Sequence, residues 1–170
     1  VTLVLKGTIA LSCARFPRGT PGPMLDALAR APLWAESLDF GHGTGHGVGY
    51  FLNVHEGPQT ISKAVVTPEM AMEAGMITSV EPGLYRPGRW GVRIENLVLA
   101  VEAPADEFGD FLAFETLTLC PIDTRTLELA RLRDDERTWL NDYHATVRER
   151  LLPRVSGAAR DWLLARTAAV

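Results

Sequence analysis

Apolar positions recur every three or four residues at the start of the chain, where Leu5, Ile9, Cys13 and Phe16 form a stripe that predicts a helix over residues 1–16. Two prolines and two glycines between Pro17 and Gly22 predict a turn. A short helix follows over Met24 to Ala31, with Pro23 at its start and Pro32 expected to end it. Five glycines between Gly41 and Gly49 exclude a helix there. Beyond them Tyr50–His55 reads as a strand, and a helical turn or loop is expected between Thr67 and Gly75. Ile77–Val80, Val92–Val101 and Phe111–Leu119 read as further strands, with Pro87-Gly88 in a connecting loop. Trp139, Leu140, Tyr143, Val147 and Leu151 place a helix over 134–152, and a last helix is expected over 158–167. Helices, then strands, then helices predict an α+β fold rather than a doubly wound one.

The chain has 170 residues, 46% hydrophobic and 22% charged, enough for one domain with a core. Its net charge of -4 gives no footprint for nucleic acid or for a membrane surface. No apolar run has the length of a membrane span, and nothing at the start reads as a signal peptide. Cys13 and Cys120 are isolated, a pattern expected of buried thiols in a reducing compartment.

Candidate chemistry sits in the glycine-rich stretch. His42, His46 and His55 lie within fourteen positions, and Glu81 and Glu95 follow downstream. Imidazole nitrogens with hard carboxylate oxygens are the donors of a hydrolytic metal site. Gly43 and Gly45 argue against a helical HxxxH zinc pair. Glu81 is expected at a strand end before Pro82-Gly83. Glu95 is expected inside a strand with Arg93 on the same face, which leaves a salt bridge, an edge position or a metal ligand open for it.

The motifs HGTGHGVG at 42–49, NVHEGP at 53–58, EAGM at 73–76, VEPGLY at 80–85, GVRIEN at 91–96, FETLTLCPID at 114–123 and WLNDYH at 139–144 carry a resemblance. Together they resemble the carboxyl-terminal part of the catalytic domain of cytosolic-type aminopeptidase P, a pita-bread metallopeptidase. The resemblance implies a pita-bread fold, an antiparallel sheet flanked by helices, with residues 1–170 forming part of the catalytic domain. It implies release of the amino-terminal residue from Xaa-Pro peptides, a cytoplasmic homodimer, and two divalent ions, manganese in such enzymes. It implies metal ligation by His46, Glu81 and Glu95, and catalytic roles for His55 and for Glu81 as a proton relay. His42, Tyr85 and Arg93 fall at substrate-pocket positions. Two further aspartate ligands of the family lie upstream of the region matching Val1. This chain therefore offers two carboxylates and one imidazole, suited to at most one loosely held ion. With its start at Val1 inside an expected helix, the chain reads as a fragment, inactive alone. The alternatives are a non-catalytic pita-bread module that binds peptides or proteins, and a prolidase-like dipeptidase.

Overall fold

The computed structural model describes residues 1–51, 53–63 and 65–170, without the side chain of Asp106. It is an α+β structure. The elements are α1 (Thr2–Ser12), β1 (Arg15–Pro17), α2 (Asp26–Trp34), β2 (Gly45–His46), β3 (Thr60–Ile61), β4 (Ile77–Val80), β5 (Gly83–Arg86), β6 (Trp90–Arg93), β7 (Asn96–Asp106), β8 (Gly109–Thr116), α3 (Asp134–Leu151) and α4 (Gly157–Arg166). The chain divides into two compact units, Leu3–Leu117 and Val1–Thr2 with Thr118–Val170.

In the first unit an antiparallel sheet has the order β1-β8-β7-β4. Leu11, Phe16, Leu25, Ala29, Ile61, Met72, Val80, Val98 and Leu112 are buried in one cluster beneath it. A second cluster of Val4, Leu33 and Phe40 is packed by Leu38, Leu84, Val92 and Ile94. Burial of these side chains is the main term favouring the unit. Val92–Val101 does not form one strand. Val80 pairs with Asn96 in the large sheet, whereas Gly83 pairs with Arg93 in a separate two-stranded sheet. Both strands turn the same corner together, so Glu81-Pro82 and Ile94-Glu95 face each other across a gap in the ladder, held by one long bond of 3.5 Å from Ile94 N to Pro82 O.

Three further expectations need correction. The first helix stops at Ser12, and Phe16 is buried from β1 instead. Pro32 lies inside α2 rather than ending it. A proline there removes only its own N–H bond to the turn before, and Leu28, which loses that partner, is on the exposed face. Tyr50–His55 is not a strand among its described residues; the amide of Gly49 bonds Asn53 O at 2.9 Å and closes a turn, and Leu52 lies outside the described residues.

In the second unit Leu140, Tyr143 and Val147 bury one face of α3. Glu136 and His144 share that face, which the apolar pattern alone did not show. Glu136 accepts the N–H of Arg133 at 2.9 Å, closing the first turn. His144 accepts the N–H of Ile122 at 3.0 Å, and Tyr143 donates to Cys120 O at 2.8 Å. Burial pushes the His144 pKa down, and the nearby Arg148 charge adds to this. Contrary to expectation Cys13 and Cys120 are exposed, and neither forms a disulfide. Among the described residues no helix is long and apolar enough to cross a membrane.

Candidate functional site

The glycine-rich stretch runs from the end of α2 into β2 and places His46 opposite Thr60. Its glycines serve close approach rather than unusual φ. A Cβ on Gly45 would meet Ser79 O at 1.9 Å, and one on Gly47 would meet Glu56 O at 2.0 Å. The loop thereby lies against the end of β4, where the amide of Glu81 donates to Thr44 O at 2.7 Å and the amide of His46 to Ser79 Oγ at 3.0 Å. Ser79 in turn donates to Glu81 Oε1 at 3.0 Å.

Glu81 is nearly buried, and its carboxylate is held from two sides. Oε1 faces His46 Nε2 at 3.1 Å and Oε2 faces Arg93 Nη1 at 3.1 Å. The Arg93 guanidinium also donates from Nε to Tyr85 Oη at 2.9 Å. Its pKa lies above the ordinary value: partial burial lowers it, but Tyr85 and the charges of Glu81 and Glu95 outweigh that. His55 stacks obliquely on His46, ring centres 4.2 Å apart.

The two loop histidines differ in what their free nitrogens meet. His46 Nδ1 lies 3.0 Å from Gly47 O and His42 Nδ1 lies 2.7 Å from Gly43 O. A carbonyl only accepts, so the hydrogen-bond network assigns the proton to Nδ1 in both rings and leaves each Nε2 an acceptor. His42 Nε2, at 2.9 Å, receives the Tyr85 hydroxyl, which in turn accepts from Arg93. His46 Nε2 instead faces a carboxylate oxygen, and two acceptors 3.1 Å apart require a proton or a cation between them. That donor pair suits a metal ion, but it is incomplete. Glu95 is exposed and stands outside it; among the described residues no three His, Cys, Asp or Glu side chains lie close enough to hold a metal ion. The carboxylate of Glu95 was expected on a strand beside Arg93, and lies instead at the corner between β6 and β7.

Arg30 was not singled out from the sequence, yet it organises the loop. It is 1% exposed and donates from Nε to Asp26 at 2.6 Å, from Nη1 to Asp39 at 2.8 Å and Phe40 O at 2.7 Å, and from Nη2 to His42 O at 2.8 Å. Its guanidinium lies 3.9 Å from the centre of the Phe40 ring, and Phe40 packs on His42. Asp26 also accepts the Thr44 hydroxyl at 2.6 Å. One buried cation thus fixes the backbone at Phe40 and His42 and, through Asp26, the side chain of Thr44. Its sequence signal was an Asp-Arg pair at i,i+4 inside the otherwise apolar α2.

Residues 1–102 match the model described as metallopeptidase family M24, and residues 110–170 match the C-terminal region of peptidase_M24. The chain belongs to metallopeptidase family M24. Within M24, it is 46% identical over 171 residues to a Coprinopsis cinerea protein named probable Xaa-Pro aminopeptidase P, covering 98% of this chain and 28% of that protein. The crystal structure of X-prolyl aminopeptidase from Caenorhabditis elegans, described as a cytosolic enzyme with a di-nuclear active site, superposes with a TM-score of 0.89 at 40% identity; it covers 99% of this chain and 28% of that one. The prolidase of Pyrococcus furiosus superposes with a TM-score of 0.53 at 32% identity, over 68% of this chain and 31% of that one. The fold is therefore the pita-bread fold of M24, and the chain spans under a third of the length of these relatives.

Proposed function

We propose that the protein of which this chain forms part is a metal-dependent Xaa-Pro aminopeptidase, and that residues 1–170 supply part of its catalytic domain. The observation that carries the reading is the Glu81 carboxylate, held between His46 Nε2 and Arg93 with the His42–Tyr85 pair alongside. The likeness to the fungal and nematode proteins supports the substrate class.

In this reading Glu81 takes up and returns a proton during amide hydrolysis, with Ser79 and Arg93 fixing its orientation. His55, packed against His46, meets the scissile carbonyl. His42, turned by its bond to Tyr85, and Arg93 line the side that receives proline. Two divalent ions, manganese by resemblance, would activate water and polarise the carbonyl. The residues of this chain do not complete a site for them: His46 and Glu81 form one corner, with Glu95 nearby at the strand corner. We place the protein in the cytoplasm as a homodimer.

The test is amino-terminal release from Xaa-Pro peptides by the full-length protein. Cleavage of Ala-Pro-Ala, little action on Ala-Ala-Ala, and retention of activity on peptides longer than dipeptides are expected. A protein restricted to Xaa-Pro dipeptides would be a dipeptidase instead, and one that binds these peptides without cleaving them would be a non-catalytic module.

A further inference from the structure

A cavity of about 480 Å³ is lined by Ser37, Leu38, Asp39, Tyr85, Arg86 and Arg89, among others. That size falls in the ordinary range of ligand clefts. Tyr85 belongs to both places. Its hydroxyl touches His42 and Arg93, and the residue also walls the cavity. Tyr85 is thus the residue that the cavity shares with the His42–Arg93 cluster.

The charge around the cavity is positive in excess. Asp39 is the acidic residue in its lining, and that carboxylate is already taken: Lys63 donates to it at 2.5 Å and Arg30 at 2.8 Å. Burial raises its pKa, but those two bonds outweigh this and hold it well below the usual carboxylate range. The Arg30 guanidinium is spent on Asp26 and two carbonyls as well. Arg86 and Arg89 have no acidic partner among the described residues. Arg86 lies 5.9 Å over the Trp90 ring, and the amide of Arg89 bonds Arg86 O at 2.9 Å, closing the turn that carries both residues.

We propose that this cavity is an anion-accepting subsite, and that Arg86 and Arg89 bind a peptide carboxylate beyond the proline. Guanidinium groups suit carboxylates because their donors match both oxygens. The inference rests on the peptidase reading above. The carboxylate can come from an acidic side chain after proline or from the chain terminus of a tripeptide.

The experiment compares kcat/KM of the full-length protein on Ala-Pro-Ala-NH2, Ala-Pro-Glu-NH2, Ala-Pro-Lys-NH2 and Ala-Pro-Ala with a free carboxylate. Two exposed ion pairs predict about a three- to tenfold preference for an anionic peptide over the neutral amide, shrinking as salt rises. Preference for the Glu amide identifies a side-chain carboxylate; preference confined to the free acid identifies the terminus. The variant R86E/R89E should reverse the Glu-to-Lys ratio, and R86A/R89A should bring it near one. Both positions are exposed, and the ratio does not depend on how much folded enzyme each preparation holds. Equal use of neutral and anionic peptides, or a preference unchanged in R86E/R89E, would overturn the subsite while leaving the peptidase reading intact. No cleavage of any of the four would sink both.

Discussion

Replacing Arg30 by Met strands a carboxylate inside the protein. Asp26 is 3% exposed, and its remaining partner is the Thr44 hydroxyl at 2.6 Å. Removing one member of a buried ion pair costs about 3–5 kcal/mol, because the charge left behind is neither solvated nor compensated. Met fills much of the volume but cannot bond Phe40 O or His42 O, which are also held by Arg30. Against a domain stability of about 5–15 kcal/mol, this is a large fraction. At a urea m-value of about 2 kcal/mol/M the midpoint for the Leu3–Leu117 unit falls by about 1.5–2.5 M. Trp34 and Trp90 report on that unit; Trp139 and Trp162 lie in the other and are replaced by Phe in the background used. The second arm is R30M/D26N. An amide keeps an acceptor for Thr44 but carries no charge, so the double variant should be more stable than R30M by about 1–2 kcal/mol, although it has one more substitution. An R30M midpoint within 0.3 M of the parent (roughly half a kcal/mol at that m-value) would refute the reasoning. A double variant no more stable than R30M would show that the stranded charge is not the source of the loss.

Glu81→Gln in the full-length protein should lower kcat by about 10²–10⁴-fold with an unchanged urea midpoint, since the amide keeps one oxygen to accept from Arg93 and an N–H to offer His46 Nε2 but cannot relay a proton; turnover within twofold of the parent would make Glu81 structural. His46→Ala should lower bound manganese, measured by elemental analysis after desalting, whereas His42→Ala should raise KM and leave the metal in place; equal metal loss in both would reverse their roles. His144 gives a pH signature. Its folded pKa is depressed below the unfolded 6.5, so it contributes stability above pH 6.5 that is lost as pH falls through the folded value. Thermal melts should therefore drop between pH 7 and pH 5 by more in the parent than in His144→Gln, and parallel curves would contradict this. The 170 residues alone, given manganese, should not cleave Xaa-Pro peptides and should associate in light scattering, with Tyr50, Phe51 and Val65 exposed; a monomer with enzyme-like rates would overturn the assignment of ligands.

Periodicity located α3 closely because its apolar face is regular and buried, whereas β8, expected over Phe111–Leu119, runs Gly109–Thr116 and buries only Leu112 fully. Periodicity failed where two sheets meet. Val92–Val101 is an apolar-rich run, and the Glu95-Asn96 step in it does not by itself mark the point at which pairing passes from Gly83 to Val80. That switch is set by tertiary packing, and it moved Glu95 out of a strand and onto an exposed corner. The histidine loop was legible as non-helical from its glycines, but the reason for two of them lay in carbonyls far along the chain, at Ser79 and Glu56. Arg30 went unseen because a buried arginine looks like a surface one until its partners are known. The distinction between His42 and His46 likewise required knowing which atom each Nε2 faces.

The corner has a consequence for how such a protein can diverge. Glu81 and Arg93 sit where the large sheet hands over to the β5–β6 hairpin, and Arg86 and Arg89 sit at the hairpin's far end. The backbone register that sets Glu81 is fixed by Val80 against Asn96, upstream of the hairpin tip. Lengthening, shortening or recharging that tip therefore leaves the Glu81 carboxylate where it is. On the proposed reading, substrate preference and bond-breaking chemistry are mounted on the same strand pair but can drift separately, one at the free end and one at the hinge.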